Sequence, residues 1–311
     1  MNVLILEQRA EEYKKVLAPK FPDVVMHAAT REEDIGAFIE KADALLTIRI
    51  SDGMLKKANN LKWIHAFTTG VDYIVNLPSL RKDTMVTSTR GIHGPQVSEL
   101  AFLLMLALNR NFPEVVRNQD KSTWVRWPGI LLWKKKVAIV GMGVIGEQIA
   151  RKCKASDMEV IAIDIVKRKL ECVDAFYGPE DIVKVAKEVD YLVIVAPYTP
   201  ETEKLVSAKV LAAMKPTAFL INVGRGEVVD EEELLRVLKA GKIAGAGLDA
   251  YCVEPLPADH PFWKMKNVIV SPHIAGMSDV YVEQASTIVE ENLRRFVTGK
   301  RGKDLLNFIE R

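Results

Sequence analysis

Short apolar blocks alternate with amphipathic, helix-length stretches through the first ninety residues. Residues 3–6 read as a strand, 9–21 as a helix and 24–28 as an extended segment. Ile35, Phe38, Ile39 and Ala42 recur at the spacing of one helical face. Residues 44–48 predict a strand, 52–59 a short helix, and 61–67 and 85–88 two more strands. Such alternation implies a parallel sheet with helices on both faces, because parallel neighbours need a crossover between them. The turn Gly91-Ile92-His93-Gly94-Pro95 predicts a hinge, with His93 a loop histidine that has no catalytic duty. Residues 97–116 then read as one long helix, apolar nearly all round in its middle. That pattern predicts burial on most sides, as for a helix wedged between domains or subunits.

A second alternating unit starts at Val137. Strands are expected at 137–140, 160–163, 191–195, 218–223, 243–248 and 268–270, with helices at 181–187, 207–214 and 231–240. Asp230 and Glu233 predict a capping box for the last of these. A closing helix over 279–297 carries Ala285, Ile288, Val289, Leu293 and Phe296 on one face, and residues 305–309 form a last short segment.

Directly after the strand 137–140 comes Gly141-Met142-Gly143-Val144-Ile145-Gly146, the order G-x-G-x-x-G. The first glycine permits a tight turn, the second leaves room for a pyrophosphate, and the third lets the next helix pack closely on the strand. That helix aims its N-terminal N–H groups and positive dipole end at the phosphates. The next strand ends in Asp164, placed to accept the adenosine ribose hydroxyls and to oppose a 2′-phosphate. NAD is therefore favoured over NADP, although Lys167, Arg168 and Lys169 just downstream could serve a 2′-phosphate. The fold class expected is α/β, with two doubly wound parallel-sheet domains, the C-terminal one a Rossmann dinucleotide-binding domain.

Composition narrows the remaining classes. A length of 311 residues suits two domains. A net charge of +2 gives no argument for nucleic acid or an acidic membrane surface as partner. Cys153, Cys172 and Cys252 are widely spaced and odd in number, which fits a reducing cytoplasm, and no metal site is expected. The N-terminus reads as a first strand and not as a signal peptide, and the apolar run 100–108 is far short of a membrane span. Trp124, Trp127 and Trp133 lie around Pro128-Gly129 in an arm that predicts either packing on its own chain or the interface of a homodimer.

Chemistry gathers at strand ends. The glycine turn, Asp164, Ala196-Pro197, Gly224-Arg225, Asp249 and His273 all come after expected strands of one sheet, at the edge where a cofactor crevice forms. An arginine can hold the carboxylate and carbonyl of a 2-keto acid, and a histidine can protonate the nascent alkoxide. A carboxylate beside that histidine stabilises the imidazolium. In the first unit Arg49 ends one strand, and Thr69, Gly70, Val71 and Asp72 come after the next. Amides around Gly70 could cradle a small carboxylate, or the glycine could simply serve a turn that Asp72 caps.

Four motifs in order, with compatible gaps, resemble the D-isomer-specific 2-hydroxyacid dehydrogenases. They are Gly141 to Gly146, Asn222-Val-Gly-Arg-Gly226, Leu248-Asp-Ala-Tyr-Cys-Val-Glu-Pro255 and Ser271-Pro-His-Ile-Ala-Gly276. The resemblance covers nearly the whole chain. It implies that Arg225 anchors the keto acid and that Glu254 pairs with His273, the general acid/base. It further implies that Asp249 holds the nicotinamide carboxamide and that Gly70 and Val71 amides take the substrate carboxylate, with Arg49 and Thr69 beside them. Ala196, Pro197, Thr202, Val223, His273 and Gly276 are expected to line the cofactor. The family's two similar domains imply residues 1–96 plus 280–311 for substrate and 97–279 for NAD. His27, His65 and His260 are expected to be structural. The glutamate at 254 argues against the formate dehydrogenase branch, and with the sequence ending at Arg311 the regulatory domain of longer phosphoglycerate dehydrogenases is not expected. The expected reaction is NADH-linked reduction of a small 2-keto acid such as glyoxylate, hydroxypyruvate or pyruvate. Phosphite oxidation and a nucleotide-sensing interaction protein on the same scaffold are the alternatives.

Overall fold

The computed structural model describes residues 1–311. The chain divides into two compact units, one of Met1–Ile92 with Ser278–Arg311 and one of His93–Met277. Each contains a parallel sheet flanked by helices, which is the α/β class the apolar patterning implies.

In the first unit β1 (Asn2–Leu6), β2 (Val25–Ala29), β3 (Ala44–Thr47), β4 (Trp63–Ala66) and β5 (Met85–Ser88) lie in the order β2-β1-β3-β4-β5, all parallel. Alternate residues of β1 enter different cores. Val3 and Ile5 pack with Tyr13, Leu17 and the Val289, Leu293 and Phe296 face of the helix Tyr281–Val297. Leu4 and Leu6 pack on the other side with Ile35, Ile39, Leu45 and Ile64. Burial on both faces is what keeps a parallel strand continuously apolar.

Helices here are shorter than their apolar spacing suggests. α1 (Ala10–Leu17) gives way to a 3-10 turn over Ala18–Lys20, where Pro19 cannot supply an N–H to a continuing helix. Gly36, at φ +56°, separates Ile35 from α2 (Phe38–Lys41), so the expected helix over 35–42 is only its second half. α3 (Asp52–Leu55) and α4 (Asp72–Val75) are single turns, and Asp72 stands inside α4 and not at its cap. Ile288, expected on the buried face of the closing helix, is only half-buried. The segment 305–309 adds no helix. Phe308 bridges Thr87 in antiparallel sense and Ile309 N–H donates to the Val86 carbonyl at 2.9 Å, so this segment covers the free edge of β5.

A buried polar knot sits under β4 and β5. Trp63 Nε1 donates to Thr87 Oγ1 at 2.9 Å, and His65 Nδ1 lies 2.7 Å from the same oxygen. His65 is fully buried, its Nε2 has no partner, and burial pushes its pKa down to about 3. The folded unit therefore keeps this ring neutral, whereas an unfolded chain protonates it below about pH 6.5. Stability is intact above that pH and falls as acid is added, by about 2 kcal/mol from this group between pH 7 and pH 5. Denaturant melts followed by tryptophan fluorescence check this: His65→Gln is expected to flatten the acid limb by that amount.

In the second unit α5 (Gly94–Asn109) and α6 (Phe112–Asp120) replace the single helix expected over 97–116. The break is Asn111, at φ +48°, with Pro113 next in the first turn of α6. Val97, Ala101, Leu104 and Met105 face the core of this unit, while Leu103 and Leu106 on the other side are exposed. Residues 121–135 form an irregular arm. Trp127 Nε1 donates to the Arg110 carbonyl at 3.0 Å, and Trp124 is 92% exposed.

The seven strands of this unit are β6 (Lys136–Val140), β7 (Glu159–Ile163), β8 (Ala175–Tyr177), β9 (Tyr191–Ile194), β10 (Phe219–Asn222), β11 (Gly245–Leu248) and β12 (Val268–Val270). Their order is β12-β11-β10-β9-β6-β7-β8, again all parallel. β8 was not expected, since its three residues are only half-buried and carry no clear alternation. Between β6 and β9 the chain reverses its direction of winding, which makes that junction the topological switch point. The helices are α7 (Val144–Ala155), α8 (Ile182–Ala186), α9 (Ala208–Ala213) and α10 (Glu231–Lys239). Asp230 caps α10 by accepting from Glu233 N–H at 3.3 Å, but the Glu233 carboxylate turns to Arg236, so only half of the expected capping box forms. No helix is long and apolar enough to cross a membrane.

Candidate active site

Because all seven strands of the second sheet run the same way, the residues just past their carboxyl ends share one edge. Gly141 comes after β6, Asp164 after β7, Ala196 after β9, Arg225 after β10, Asp249 after β11 and His273 after β12. The glycine turn sits at the switch point. Gly141 has φ +97°, and a Cβ there would lie 2.6 Å from the Ala196 amide nitrogen. A Cβ on Gly146 would lie 2.1 Å from the Gly141 carbonyl oxygen, so α7 can approach β6 only through glycine. At Gly143 the same construction meets nothing within 4 Å, leaving open space beside the first N–H groups of α7. A turn tight at 141, close at 146 and open at 143 fits a dinucleotide pyrophosphate.

Asp164 pins this turn. Its carboxylate accepts from Met142 N–H at 2.5 Å and from Val166 N–H at 3.0 Å. Arg168 also reaches back, donating to the Met142 carbonyl and lying 3.6 Å from Glu147. Met142 is buried, Val144 is exposed and Ile145 is half-buried. Ala196 and Val223 are buried while Pro197 is exposed. The Thr202 hydroxyl is committed to its own loop, donating to the Pro197 carbonyl at 2.7 Å and accepting from Thr199 N–H at 2.8 Å.

Two further loops are pressed together by Gly226. A Cβ there would fall 2.0 Å from the Tyr251 carbonyl carbon, so the Arg225 loop lies directly on the segment that leads to Glu254. Asn222 shapes the first loop, its side chain donating to the Arg225 carbonyl and accepting from Gly224 N–H, both at 3.0 Å. Arg225 is half-buried and donates to the Gly224 carbonyl at 2.9 Å.

His273 Nδ1 lies 2.8 Å from both carboxylate oxygens of Glu254. The ring is 32% exposed and the carboxylate 17%. Glu254 is held in turn by Tyr251 N–H, 3.2 Å from Oε1. The backbone of His273 is left-handed, at φ +53°, a conformation that residues with a Cβ adopt only when their surroundings impose it.

Asp249 is 1% exposed and accepts three neutral donors. These are Ser271 Oγ at 2.5 Å, Ile274 N–H at 2.9 Å and Ala275 N–H at 2.9 Å. Its carboxylate thus grips the turn that carries His273. No residue pattern signals this grip, since two of the three donors are backbone groups of a loop about twenty-five residues away. His93 was also unforeseen here. It is buried at the start of α5, with its ring edge 3.3 Å from where a Gly276 Cβ would be. Burial first, then the charge of Arg225, pushes its pKa down to about 4.

In the first unit Arg49 is exposed beyond β3 and its guanidinium stacks 3.9 Å from the Tyr73 ring centre. Tyr73 lies in α4, shortly after Thr69, Gly70 and Val71, so these expected residues are neighbours. Thr68 Oγ1 donates to the Gly70 carbonyl at 2.6 Å and closes that loop.

The family described as D-isomer specific 2-hydroxyacid dehydrogenase, NAD binding domain, matches residues 102–275. The chain belongs to the D-isomer specific 2-hydroxyacid dehydrogenase family. A glyoxylate reductase of Thermococcus litoralis is 33% identical over 98% of this chain and 96% of that protein. A D-3-phosphoglycerate dehydrogenase of Methanocaldococcus jannaschii is 30% identical over 99% of the chain, which spans 59% of that longer protein. Among solved structures, a D-isomer specific 2-hydroxyacid dehydrogenase family protein of Aeromonas salmonicida superposes with a TM-score of 0.90 at 32% identity, covering 99% of this chain and 98% of that one. A family member from Xanthobacter autotrophicus, solved with NADPH and MES, gives 0.83 at 28% identity over 99% and 98% of the two chains. This dehydrogenase family accounts for the motif order.

Proposed function

We propose that this chain is an NAD-dependent reductase of small 2-keto acids, of the glyoxylate or hydroxypyruvate reductase type, with His273 as general acid/base and Arg225 as substrate anchor. The observation that carries the reading is the His273–Glu254 couple, 2.8 Å apart, on the same strand-end edge as the glycine turn. The glyoxylate reductase relative supports the substrate class. Bound nicotinamide would supply the hydride. Gly141 to Gly146 and the start of α7 would hold its pyrophosphate, and Asp164 its ribose hydroxyls. Asp164 at this position opposes a 2′-phosphate, which favours NAD; Arg168, drawn onto Met142 and Glu147, is turned toward the glycine turn.

Each residue then has a definable task. Arg225 offers a planar, permanently charged donor pair to the carboxylate and carbonyl of the keto acid. The Glu254 carboxylate accepts Nδ1–H of His273, which fixes the ring and leaves Nε2 to carry the transferable proton. As the carbonyl is reduced, Nε2 of the imidazolium delivers that proton to the alkoxide and the ring becomes neutral. Glu254 stabilises the imidazolium, which is the donor in reduction and the product of proton uptake in the reverse direction. In the first unit, residues 1–96 plus 280–311 in this reading, Gly70 and Val71 would offer N–H groups to the substrate carboxylate, with Arg49 and Thr69 alongside. Residues 97–279 would bind the cofactor.

The test is a panel of glyoxylate, hydroxypyruvate and pyruvate with NADH and with NADPH, followed by nicotinamide absorbance. Oxidation with at least one acid, faster with NADH, is expected. No oxidation with any acid, or NAD reduction by phosphite alone, overturns the reading.

We also read the chain as a homodimer. Leu103, Leu106, Phe112, Val115, Val116, Trp124, Val125, Ile130, Leu131 and Trp133 are all exposed on α5, α6 and the arm. An apolar surface on this scale marks an association face. Light scattering is expected to give twice the 34.8 kDa chain mass, and Trp124→Asp to shift the population toward monomer. Three unpaired cysteines suit a cytoplasmic setting.

A further inference from the structure

We propose that Ser271, acting through Asp249, and Tyr251, acting on the Ser271 backbone and Glu254, are positioning residues that hold His273 in its left-handed backbone conformation and thereby aim the imidazole. The inference rests on the reading of His273 as the acid/base, but concerns residues to which that reading assigns no part.

The turn after β12 has to carry a bulky side chain at φ +53°. Sterics oppose that conformation, so something must enforce it. Asp249 does so from below. Ile274 and Ala275, the two residues after His273, donate their N–H groups to its two oxygens, both at 2.9 Å, and Ser271, two residues before, donates its hydroxyl at 2.5 Å. Both flanks of His273 are thus tied to one buried carboxylate. A buried charge left with only part of its donors is expensive, so the turn and the carboxylate stabilise each other.

Tyr251 ties the same turn to the general-acid couple. Its hydroxyl lies 2.8 Å from the Leu248 carbonyl and 3.0 Å from the Ser271 carbonyl, and accepts from Ser271 N–H at 3.1 Å. Its own N–H donates to Glu254. One residue therefore touches the strand end before Asp249, the turn before His273 and the carboxylate that orients the imidazole. Burial keeps the Tyr251 phenol well above its usual range, so it stays a donor at every working pH. The hydroxyl is what distinguishes this tyrosine from phenylalanine, which would fill the same space but remove a second partner from the Ser271 N–H and carbonyl, whose other partners are the Leu248 carbonyl at 2.8 Å and the His273 N–H at 3.0 Å.

The experiment is a double-mutant cycle of Tyr251→Phe and Ser271→Ala, with Ser271→Thr as the hydroxyl-retaining control. Each single change is expected to lower kcat by about tenfold through misplacement of the imidazole, with NADH affinity within about twofold of the parent. Because both act on one turn, the double variant should lose much less than the product of the two, and Ser271→Thr should keep the parental kcat. A second readout needs no turnover: the Nδ1–H proton resonance of His273, held by Glu254, is expected to broaden or shift in both single variants while thermal melts stay cooperative. Multiplicative losses, kcat within twofold of the parent, or effects confined to NADH affinity would each overturn the proposal. If the parent enzyme turns over no keto acid, the functional reading fails separately, and an unchanged His273 resonance in Ser271→Ala would still dispose of the clamp.

Discussion

Replacing His273 with alanine is expected to lower kcat by about 10²- to 10⁴-fold, the usual contribution of a positioned general acid. NADH affinity should be spared, because the proposed pyrophosphate cradle, Gly141 to Gly146 with the start of α7, is a separate part of the sheet edge. Glu254→Gln should fall between parent and His273→Ala. The amide can still orient the ring but no longer balances its charge, so a positioning effect survives while an electrostatic one is lost. Stopped-flow hydride transfer and NADH fluorescence titration separate the two quantities. A His273→Ala enzyme that keeps more than a tenth of the parental rate would show that the proton comes from elsewhere.

Arg225→Ala is expected to be nearly as severe, but in a different parameter. Losing a guanidinium that holds a carboxylate costs roughly 2–5 kcal/mol, since the partner anion is left partly desolvated and unpaired. That corresponds to about 30- to 5,000-fold in kcat/KM, carried largely by KM for the keto acid. Arg225→Lys should recover only part of it, because a point charge cannot reproduce the paired donors. Steady-state kinetics over a wide keto-acid range check both. The Asn222 contacts that shape this loop go to the backbone of residues 224 and 225, so its conformation does not depend on the side chain being removed.

Strand ends were legible in the sequence, because a buried parallel strand is a short apolar block and the polar or glycine residues after it stand out. That is why the glycine turn, Asp164, Arg225, Asp249 and His273 fall on one edge, as their order in the sequence implied. Glycine geometry was legible too, with Gly141 and Gly146 as tight as the motif requires. Helix continuity was not. Asn111 breaks what reads as one apolar helix, since a left-handed asparagine shortly before a proline costs little locally but leaves the hydrophobic periodicity on either side intact. Gly36 does the same to α2. The grip of Asp249 on Ile274 and Ala275 was invisible for another reason: it is a side chain meeting backbone N–H groups, and every residue but proline offers one. His93 reads as a turn residue because the sequence cannot show that Gly276 comes to lie against its ring.

The contact at Gly226 has a consequence for how such a protein can change. With the peptide linking Tyr251 and Cys252 seated where any side chain would project, the loop of Arg225 and the loop that leads to Glu254 are in direct backbone contact. Under the proposed function, neither could be re-aimed alone to suit a bulkier keto acid. Diversification of what is reduced must therefore come from surfaces outside this welded core, and a library that randomises position 226 should return glycine and nothing else among its active clones.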